Sequence, residues 1–502
     1  MNEKVLIMDT TLRDGEQTSG VSYSHQEKLN IAKLLLEEVH IDRIEVASAR
    51  VSEGEFKGAQ TIMEWAGQNG YLGRVEILGF VDGKISIDWI NHAGGKVLNL
   101  LCKGSLRHLT QQLRKTPEQH IEDIRRSIRY AGESGITTNI YLEDWSNGMR
   151  NSRDYVYFMI DHLKNEPVNR IMLPDTLGVL SPDETFDFVT DILRRYPEVS
   201  FDFHSHNDYD LATANVFAAI KGGIRCVHTT INGLGERAGN VPLSSVVAII
   251  KDHFHFDVTV DESRLYMISK MVETFSGIRI PSNKPLIGEF VFTQCSGIHA
   301  DGDHKDNLYF NDLMPERFGR TRTYALGKTS GKANIKHNLE SLGITLDPEA
   351  LKLVTERIIE LGDQKESVTI DDLPYIIADV LKSESIDQKI KLINYNMSHA
   401  LGLQPVTNIL IEIDGKEFEE YASGDGQYDA FMNALKSIYK KLRKPFPELV
   451  DYEVTIPPSG RTDALVETVI TWNNGREFKT RGLDSDQTVA AIKATMKMLN
   501  IL

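Results

Sequence analysis

Eight apolar, β-rich runs alternate with helical stretches over residues 5–231, and this alternation restricts the fold more than any other feature of the chain. The runs are VLIMD (5–9), RIEVA (43–47), VEILGF (75–80), KVLNLL (96–101), TTNIYL (137–142), RIMLP (170–174), SFDFH (200–204) and CVHTTI (226–231). Apolar strands joined by crossover helices form parallel sheets that helices cover on both faces. Eight such units in about 250 residues predict an α/β TIM (β/α)8 barrel, and an open doubly wound sheet is the competing interpretation.

The alternation stops after the eighth run. Residues 276–330 are rich in Gly, Pro, Asn and Asp and predict an irregular linker subdomain, and residues 331–387 predict a helical one. Residues 388–502 contain two similar copies of a strand–turn–strand–helix pattern. Such a repeat predicts a two-lobed β/α module that binds a ligand or dimerises. We therefore expect a catalytic barrel over residues 1–275, two linker subdomains and a C-terminal tandem β/α regulatory domain.

Composition excludes several classes of protein. A hydrophobic fraction of 41% with 25% charged residues is typical of globular chains. The balance of 56 Lys+Arg against 72 Asp+Glu gives a net charge of −16, which argues against nucleic-acid binding. No apolar run reaches the ~18 residues of a membrane span, and the three cysteines form no CxxC pair. We expect a soluble, cytoplasmic protein without a nucleic-acid or membrane partner.

Polar and charged side chains stand at the end of nearly every predicted strand. In TIM barrels the chemistry takes place at this end of the strands. The candidates are Asp9, Arg13, Asp14, Glu16 and Gln17 after the first strand, Glu45 after the second, Glu143 and Asp144 after the fifth, Asp175 and Thr176 after the sixth, His204, His206, Asn207 and Asp208 after the seventh, and GLGERAGN (233–240) after the eighth. This clustering predicts an active site at one mouth of the barrel.

A metal site is predicted from His204 and His206. They are two residues apart, so on a strand both imidazoles point to one face. Asp14 can add a carboxylate from across the barrel, and Asn240 can add an amide oxygen. Two histidines and a carboxylate suit Zn²⁺ or Mn²⁺ as a Lewis acid. The alternative is a pair of polar side chains without an ion, but their position on the same rim as Asp14 favours the metal.

Other side chains have a functional and a structural interpretation. Arg13 can hold a substrate carboxylate or an enolate oxygen, and it can also form a salt bridge to Glu45. Glu143 is a candidate general base, because desolvation easily raises the pKa of a carboxylate at a barrel mouth; a solvated surface group is the alternative. Thr176 can bind a substrate carboxylate or cap the next turn. His299 lies outside the barrel and, taken alone, predicts a surface histidine.

Four motifs together point to a family. DTTLRDGEQ, HSHNDYDLATAN, INGLGERAGN and SGIHADG occur in this order and are followed by the tandem module. Over essentially its whole length the chain resembles the α-isopropylmalate synthase family, whose metal-dependent TIM barrels condense acetyl-CoA with a 2-oxo acid. The resemblance is closest to the branch that uses pyruvate and forms (R)-citramalate for isoleucine synthesis. The alternative is the branch that uses 2-oxoisovalerate in leucine synthesis.

The resemblance implies a metal cofactor and its ligands. Asp14, His204 and His206 would hold one divalent ion, with Asn240 on it or beside it. The ion would be Mn²⁺ or Zn²⁺, with Mg²⁺ as a further candidate, and the 2-oxo acid would chelate it.

The resemblance also implies catalytic roles. Arg13 would polarise the keto oxygen, and Thr176 would bind the substrate carboxylate. Glu143 would take a proton from the methyl group of acetyl-CoA, and His299 would complete the acid–base set. The loop that orients His299 and closes over CoA would include Asp301, Asn307 and Tyr309.

The choice of 2-oxo acid depends on the size of an apolar pocket. Pyruvate has only a methyl group beyond its oxo acid, and a single methylene is worth only ~1–3 kcal/mol, so bulky side chains must occlude larger acids. Leu78, Leu101 and Tyr141 resemble the methyl pocket of the pyruvate branch. Their alternative role is ordinary barrel core.

The C-terminal repeat resembles the leucine- or isoleucine-binding module of the family, which also dimerises. The effector residues that the resemblance implies are Tyr428, Asp429, Leu449, Tyr452, Ile456 and Gln487. An enzyme of isoleucine synthesis would sense isoleucine, and one of leucine synthesis would sense leucine. We therefore expect a homodimer with an amino-acid effector, isoleucine in preference to leucine.

Two other classes compete with a condensing enzyme. Lyases and decarboxylases that act on acyl-CoA or oxo acids share the barrel and its metal rim, but they lack the tandem module and the SGIHADG segment. An inactive amino-acid sensor would use only the repeat. The intact set of mouth residues argues against a sensor; it comprises Arg13, Asp14, Glu143, His204 and His206.

Overall fold

The computed structural model of the chain forms two compact units. It describes residues 3–305, 307–309, 311–363, 368, 370–381, 390–400, 402–455 and 466–501. The first unit comprises residues 1–292 and 310–322, and the second comprises residues 293–309 and 323–502. No helix among the described residues is long and apolar enough to cross a membrane.

The first unit contains a closed barrel of eight parallel strands in sequential order, which confirms the predicted TIM barrel. The strands are β1 (Leu6–Asp9), β2 (Arg43–Ser48), β3 (Val75–Phe80), β4 (Val97–Lys103), β5 (Thr137–Glu143), β6 (Val168–Asp175), β7 (Phe201–Ser205) and β8 (Cys226–Thr229). The barrel closes where β1 pairs with β8, from Leu6 opposite Cys226 to Asp9 opposite Thr229. Because all carboxyl ends of the strands meet at one mouth, the residues that follow them are brought together.

Helices cover the outside of the barrel. They are α1 (His25–Lys33), α2 (Glu53–Asn69), α3 (Ile85–His92), α4 (Leu106–His108), α5 (Pro117–Glu133), α6 (Trp145–Asn151), α7 (Arg153–Leu163), α8 (Pro182–Arg195), α9 (Ala212–Lys221), α10 (Leu243–Ile249) and α11 (Leu265–Ser276). The sequence encodes several of their starts directly. Ser181 caps α8 by accepting from the backbone of Glu184, whose side chain accepts from Ser181 N in return, and Pro182 occupies the first turn.

The second unit begins with short strands and with helices of different lengths. They are β9 (Thr293–Gln294), α12 (Gly297–His304), β10 (Thr323–Tyr324), α13 (Lys332–Ser341), α14 (Pro348–Asp363) and α15 (Leu373–Leu381). The segment from 276 to 330, predicted to be irregular, therefore contains a two-turn helix and a strand that pairs with a second one. The helices after residue 331 pack around their own apolar cluster, which includes Ile335, Val354 and Ile358.

The C-terminal repeat forms two three-stranded antiparallel sheets, each followed by a helix. The elements are β11 (Ile390–Ser398), β12 (Val406–Ile413), β13 (Lys416–Ser423), α16 (Gln427–Leu442), β14 (Glu448–Thr455), β15 (Val466–Asn473), β16 (Glu477–Asp484) and α17 (Gln487–Ile501). The predicted strand–turn–strand–helix order is present in both copies. Each copy also has a leading strand, β11 or β14, that the prediction omitted. A single apolar cluster joins both copies, from Ile409 and Phe431 to Trp472 and Met498.

Helix α6 lies with its backbone directly against the loop after β4. A Cβ atom on Gly148 would stand 2.1 Å from the carbonyl oxygen of Gly104 and 2.8 Å from a methyl carbon of Val156. Gly104 in turn donates its N–H to the carbonyl oxygen of Glu143 over 2.6 Å. This contact between two backbones requires glycine and fixes the mouth beside β4 and β5.

We expect Gly148→Ala to lower the free energy of unfolding of the barrel by about 1–3 kcal/mol or more, because the added methyl group meets a backbone carbonyl that cannot move aside. Gly67→Ala in α2 is the matched control, since a Cβ there meets no atom within 4 Å. It should raise stability by roughly 0.5–1 kcal/mol or leave it unchanged. Thermal and urea unfolding followed by circular dichroism measure both, and equal stability of the two variants would contradict the expectation.

Candidate active site and metal centre

The turn after β1 places Arg13 and Asp14 side by side at the mouth of the barrel. The N–H groups of Arg13, Asp14 and Gly15 all donate to the carbonyl oxygen of Thr10, over 3.1, 2.8 and 3.1 Å. The Asp9 carboxylate accepts from the backbone N–H of Thr11 over 2.9 Å. The chain is thus wound into one tight turn, and both functional side chains leave it almost fully buried.

Asp14, His204 and His206 form a buried group whose ligand atoms all lie within 4.8 Å of one another. Asp14 Oδ2 is 3.2 Å from His204 Nε2 and 3.7 Å from His206 Nε2. His204 is the penultimate residue of β7, and His206 lies just beyond the strand at a bridge to Asn240. The structure therefore brings together the three side chains that the sequence predicted as metal ligands.

Burial and charge set the protonation of this group. Burial opposes ionisation of Asp14, but the Arg13 guanidinium and the two imidazoles hold the pKa of its carboxyl well below the ordinary value. Burial lowers the pKa of His204 and lowers that of His206 to about 4. At neutral pH the group is therefore one carboxylate with two neutral imidazoles, which is the protonation state that metal coordination needs.

The donor atoms fit a divalent ion. Within the described part of the chain, Asp14 Oδ1 and Asn240 Oδ1 are buried and have no hydrogen-bond partner. Asn240 donates its amide Nδ2 to Leu234 O over 3.1 Å, so the orientation of the amide leaves its oxygen free. Buried acceptors without partners are rare in proteins. A cation such as Mn²⁺ or Zn²⁺ would satisfy these oxygens together with the two imidazoles.

Arg13 is held between two carboxylates. Its Nε lies 2.5 Å from Glu45 Oε2, and its Nη1 lies 3.3 Å from Asp14 Oδ2. Burial opposes the charge of Arg13, but the two carboxylates raise its pKa above the ordinary value. Glu45 is fully buried and accepts from Asn99 Nδ2 over 2.7 Å. The predicted salt bridge between Arg13 and Glu45 is thereby confirmed, and it orients a permanent cation beside the candidate metal ligands.

Glu143 and Thr176 occupy the neighbouring strand ends. Glu143 ends β5 and forms an ion pair with Lys103, the last residue of β4. Thr176 Oγ1 accepts from the backbone N–H of Asp144 over 2.8 Å. Because a hydroxyl both accepts and donates, this bond leaves the Thr176 O–H to donate to a ligand. The sequence analysis did not name Lys103 as a residue of the site. The available signal was its spacing, because Lys103 is two residues after Leu101 on β4 and therefore lies on the same face of the strand.

A small apolar cluster, separate from the main core, lies among these strand ends. It comprises Met8, Leu78, Tyr141 and Met172, with Leu101 packed against it. Leu78, Leu101 and Tyr141 were predicted to meet here, whereas the two methionines were not.

His228, also missed, fixes the ring of Tyr141. The Tyr141 hydroxyl lies 3.1 Å from His228 Nδ1, and His228 Nε2 lies 3.2 Å from Asp202 Oδ2. Burial lowers the pKa of His228 to about 4, so this imidazole is neutral. The sequence could have indicated His228, because a histidine within the apolar run of β8 is unusual.

The remaining predicted catalytic residues lie in the second unit. His299 is on α12, and its ring stacks on Tyr309 with centroids 4.2 Å apart. The Asp301 carboxylate accepts from Lys305 Nζ over 2.6 Å. Asn307, which lies between Lys305 and Tyr309 in the chain, adopts a left-handed backbone conformation with φ 52°. His299 and Tyr309 are thus brought together, and the role of this group toward the barrel residues stays a prediction.

The predicted effector residues lie in the C-terminal repeat. The Tyr428 hydroxyl of α16 is 2.7 Å from Thr495 Oγ1 of α17, and its ring lies 5.4 Å from that of Tyr452 on β14. These contacts bring the two copies of the repeat together. Asp429 instead accepts from the backbone N–H of Asp425 over 2.9 Å. Of the remaining predicted positions, Leu449 lies on β14, Gln487 begins α17, and Ile456 lies outside the described residues.

Comparison with known proteins defines the class of this barrel. Residues 4–272 match the family model described as HMGL-like, residues 286–366 match the homocitrate synthase post-HMGL domain, and residues 367–502 match the LeuA allosteric (dimerisation) domain. This combination defines a metal-site barrel enzyme with an attached allosteric domain.

Two full-length relatives narrow the class. An (R)-citramalate synthase of Methanocaldococcus jannaschii is 33% identical, covering 99% of each chain. A 2-isopropylmalate synthase of Polynucleobacter asymbioticus is 32% identical, covering 100% of this chain and 97% of the relative. The chain belongs to the 2-isopropylmalate and (R)-citramalate synthase family of acyl-transferring condensing enzymes. The two identities are nearly equal, so they do not decide between the two substrates.

We expect Asp14→Asn to weaken Mn²⁺ binding by about 100-fold or more, since even residues that only orient a metal ligand are worth about 10- to 100-fold in affinity. Asp9→Asn is the matched control on the same turn. Burial raises the pKa of Asp9 to about 7, and an amide preserves its bond from Thr11 N–H. Isothermal titration of both variants with Mn²⁺ is the measurement. Unchanged affinity in Asp14→Asn, or an equal loss in Asp9→Asn, would contradict the metal site.

Proposed function

We propose that this enzyme condenses acetyl-CoA with pyruvate and water to give (R)-citramalate and CoA, the first step of a pyruvate route to isoleucine. The single observation that supports pyruvate is the apolar cluster beside the candidate metal centre. Its members are large, and Leu78 and Tyr141 are 5% and 3% exposed. Such a cluster accommodates a methyl group and leaves little room for an isopropyl group.

The fixed position of Tyr141 supports the same choice. Its hydroxyl bonds to His228, and Asp202 holds that imidazole in place, so the tyrosine ring cannot rotate away to admit a larger acid without breaking a buried hydrogen bond. Leaving a buried polar group unpaired costs about 1–3 kcal/mol. Discrimination by occlusion therefore rests on a side chain that is itself held by polar contacts.

The metal and the oxo acid have defined positions in this proposal. Asp14, His204 and His206 would hold the ion, and the Asn240 oxygen would lie on it or beside it. A divalent ion, when bound, supplies Lewis acidity toward the keto group. Thr176 donates its O–H to the substrate carboxylate. Arg13 donates to the keto oxygen as negative charge develops there, and its ion pair with Glu45 keeps it in that orientation.

The bond changes follow from these positions. Glu143 takes a proton from the methyl group of acetyl-CoA, and the methyl carbon then forms a bond to the keto carbon of pyruvate. The keto oxygen becomes a hydroxyl by taking up a proton, and His299 completes this acid–base set. Water cleaves the thioester and releases CoA, which makes the reaction effectively irreversible. The segment proposed to orient His299 and to close over CoA contains Asp301, Asn307 and Tyr309.

We further propose that residues 388–502 bind isoleucine in preference to leucine and hold two copies of the chain together as a homodimer. The match to an allosteric dimerisation domain supports this assignment. Tyr428 and Tyr452 supply apolar ring surface across the two copies of the repeat. The proposed organisation otherwise comprises the barrel over residues 1–275 and linkers over 276–330 and 331–387.

The second candidate is 2-isopropylmalate synthesis from 2-oxoisovalerate. It is favoured by the full-length similarity to a synthase of that name. It requires a pocket for two more methyl groups at the position of Leu101 and Tyr141. The two candidates therefore differ in one pocket and share every other catalytic residue.

The decisive experiment is thiol release from acetyl-CoA in the presence of Mn²⁺ or Zn²⁺. Pyruvate, 2-oxobutyrate, 2-oxoisovalerate and 2-oxoglutarate are compared, each with and without isoleucine or leucine. We expect release with pyruvate and inhibition by isoleucine. Preference for 2-oxoisovalerate would contradict the pyruvate assignment, stronger inhibition by leucine would contradict the effector, and absence of release with all four acids would contradict the reaction.

Leu101→Ala should raise the kcat/KM ratio of 2-oxoisovalerate to pyruvate by about tenfold or more, because removing bulk from the pocket relieves the exclusion of larger acids. Leu100→Ala is the control on the same strand, since Leu100 belongs to the main core on the opposite face. It should cost about 2–5 kcal/mol of stability and leave the ratio unchanged. The ratio is independent of the folded fraction. An unchanged ratio in Leu101→Ala would contradict the pocket.

A further inference from the structure

Lys103 and Glu143 form a partly buried ion pair at the mouth, and the proposed mechanism does not yet use its cation. Lys103 ends β4 and Glu143 ends β5, and the parallel register places them directly opposite each other. The Lys103 ammonium contacts Glu143 Oε2. The lysine side chain is 8% exposed and the glutamate side chain is 23% exposed. The cation is therefore covered by protein, while the carboxylate remains partly accessible.

The backbone of Lys103 is fixed by buried partners on both sides. Its N–H donates to His120 Nε2 over 3.1 Å, and its carbonyl oxygen accepts from the Tyr155 hydroxyl over 2.9 Å. Burial lowers the pKa of His120 to about 4, so its ring is neutral at physiological pH and can accept this bond. The next residue, Gly104, donates to the carbonyl oxygen of Glu143. The two strand ends are thus held together independently of the ion pair.

We infer that Lys103 is a positioning residue for the Glu143 carboxylate. The inference rests on the proposed function, in which Glu143 takes a proton from the methyl group of acetyl-CoA. The ion pair engages Oε2 and leaves Oε1 to accept that proton. Without the ammonium, the glutamate side chain can rotate about several bonds, and a displacement of about 1 Å can cost roughly 100-fold in rate.

Strand geometry links this ion pair to the substrate pocket. Alternate residues of a strand share a face, so Lys103 faces the same way as Leu101, and Glu143 the same way as Tyr141. Leu101 and Tyr141 belong to the apolar cluster that we assign to the methyl group of pyruvate. Glu143 and Lys103 therefore lie two residues beyond the pocket side chains Tyr141 and Leu101, on the same two strands.

Within the described part of the chain, Lys103 is the only residue that forms an ion pair or hydrogen bond with the Glu143 carboxylate. The neighbouring cation Arg13 is already bound to Asp14 and Glu45. Among the described residues, Arg13 is therefore not available to replace Lys103 when it is removed. This makes the orientation of Glu143 sensitive to one substitution.

The test compares the full-length enzyme with Lys103→Met and Lys103→Arg, using acetyl-CoA and acetyl-CoA that is trideuterated on its methyl group. We expect kcat of Lys103→Met to fall by about tenfold or more, with KM for the 2-oxo acid within about twofold of the parent value. The deuterium isotope effect on kcat should rise, because proton removal becomes slower relative to the other steps. Lys103→Arg retains the charge and should restore most of the rate.

A control variant and two further measurements distinguish a failure of the Lys103 role from a failure of the proposed reaction. Lys115→Met removes a surface ion pair of 2.6 Å with Asp123 and should keep the parent rate and isotope effect. A parent-like isotope effect in Lys103→Met would overturn the positioning role, whatever the loss of rate. Full turnover in Glu143→Gln would instead contradict Glu143 as the base. A parent enzyme inactive with every 2-oxo acid would contradict the proposed function and this inference together.

Discussion

Burial of the Asp14 carboxylate is the constraint on which the rest of the barrel mouth depends. A carboxylate removed from water must be paired, and Arg13 pairs it from the adjacent position. Arg13 also pairs with a second carboxylate, Glu45, which accepts from Asn99, and Asn99 accepts in turn from Asn139. A chain of hydrogen bonds therefore runs into the barrel interior, where TIM barrels ordinarily place branched apolar side chains. This part of the barrel interior is therefore polar and supports a charged side chain at the mouth.

The two copies of the C-terminal repeat depend on a shared apolar core. Each copy is too small to bury a large core alone, and one apolar cluster spans both copies. The hydroxyl contact between Tyr428 and Thr495 and the ring contact between Tyr428 and Tyr452 lie across the same pair of copies. A small molecule that bound between these side chains would therefore change how the two copies pack, which is a physical basis for regulation in this unit.

The sequence predicted the parts of the site that depend on strand ends. Eight apolar runs defined the barrel, and the residues at and just beyond two strand ends include Asp14, His204 and His206, which form one group. Lys103 and His228 were missed because their importance depends on which neighbour lies opposite, and register is not visible in a single strand. Strand β11 was missed for another reason. Most of its side chains are exposed and several are polar, so it lacks the apolar run by which strands are recognised.

The contact between Gly104 and Gly148 has a consequence for how enzymes with this mouth can diverge. With two backbones in contact, the loop after β4 cannot be lengthened or shifted without displacing α6. We therefore expect this part of the mouth to change its substrate preference by exchange of side chains at positions such as Leu101, and not by remodelling of this loop. Evolution of this part of the mouth then proceeds by single substitutions, each of which adds or removes the volume of a few carbon atoms in the pocket.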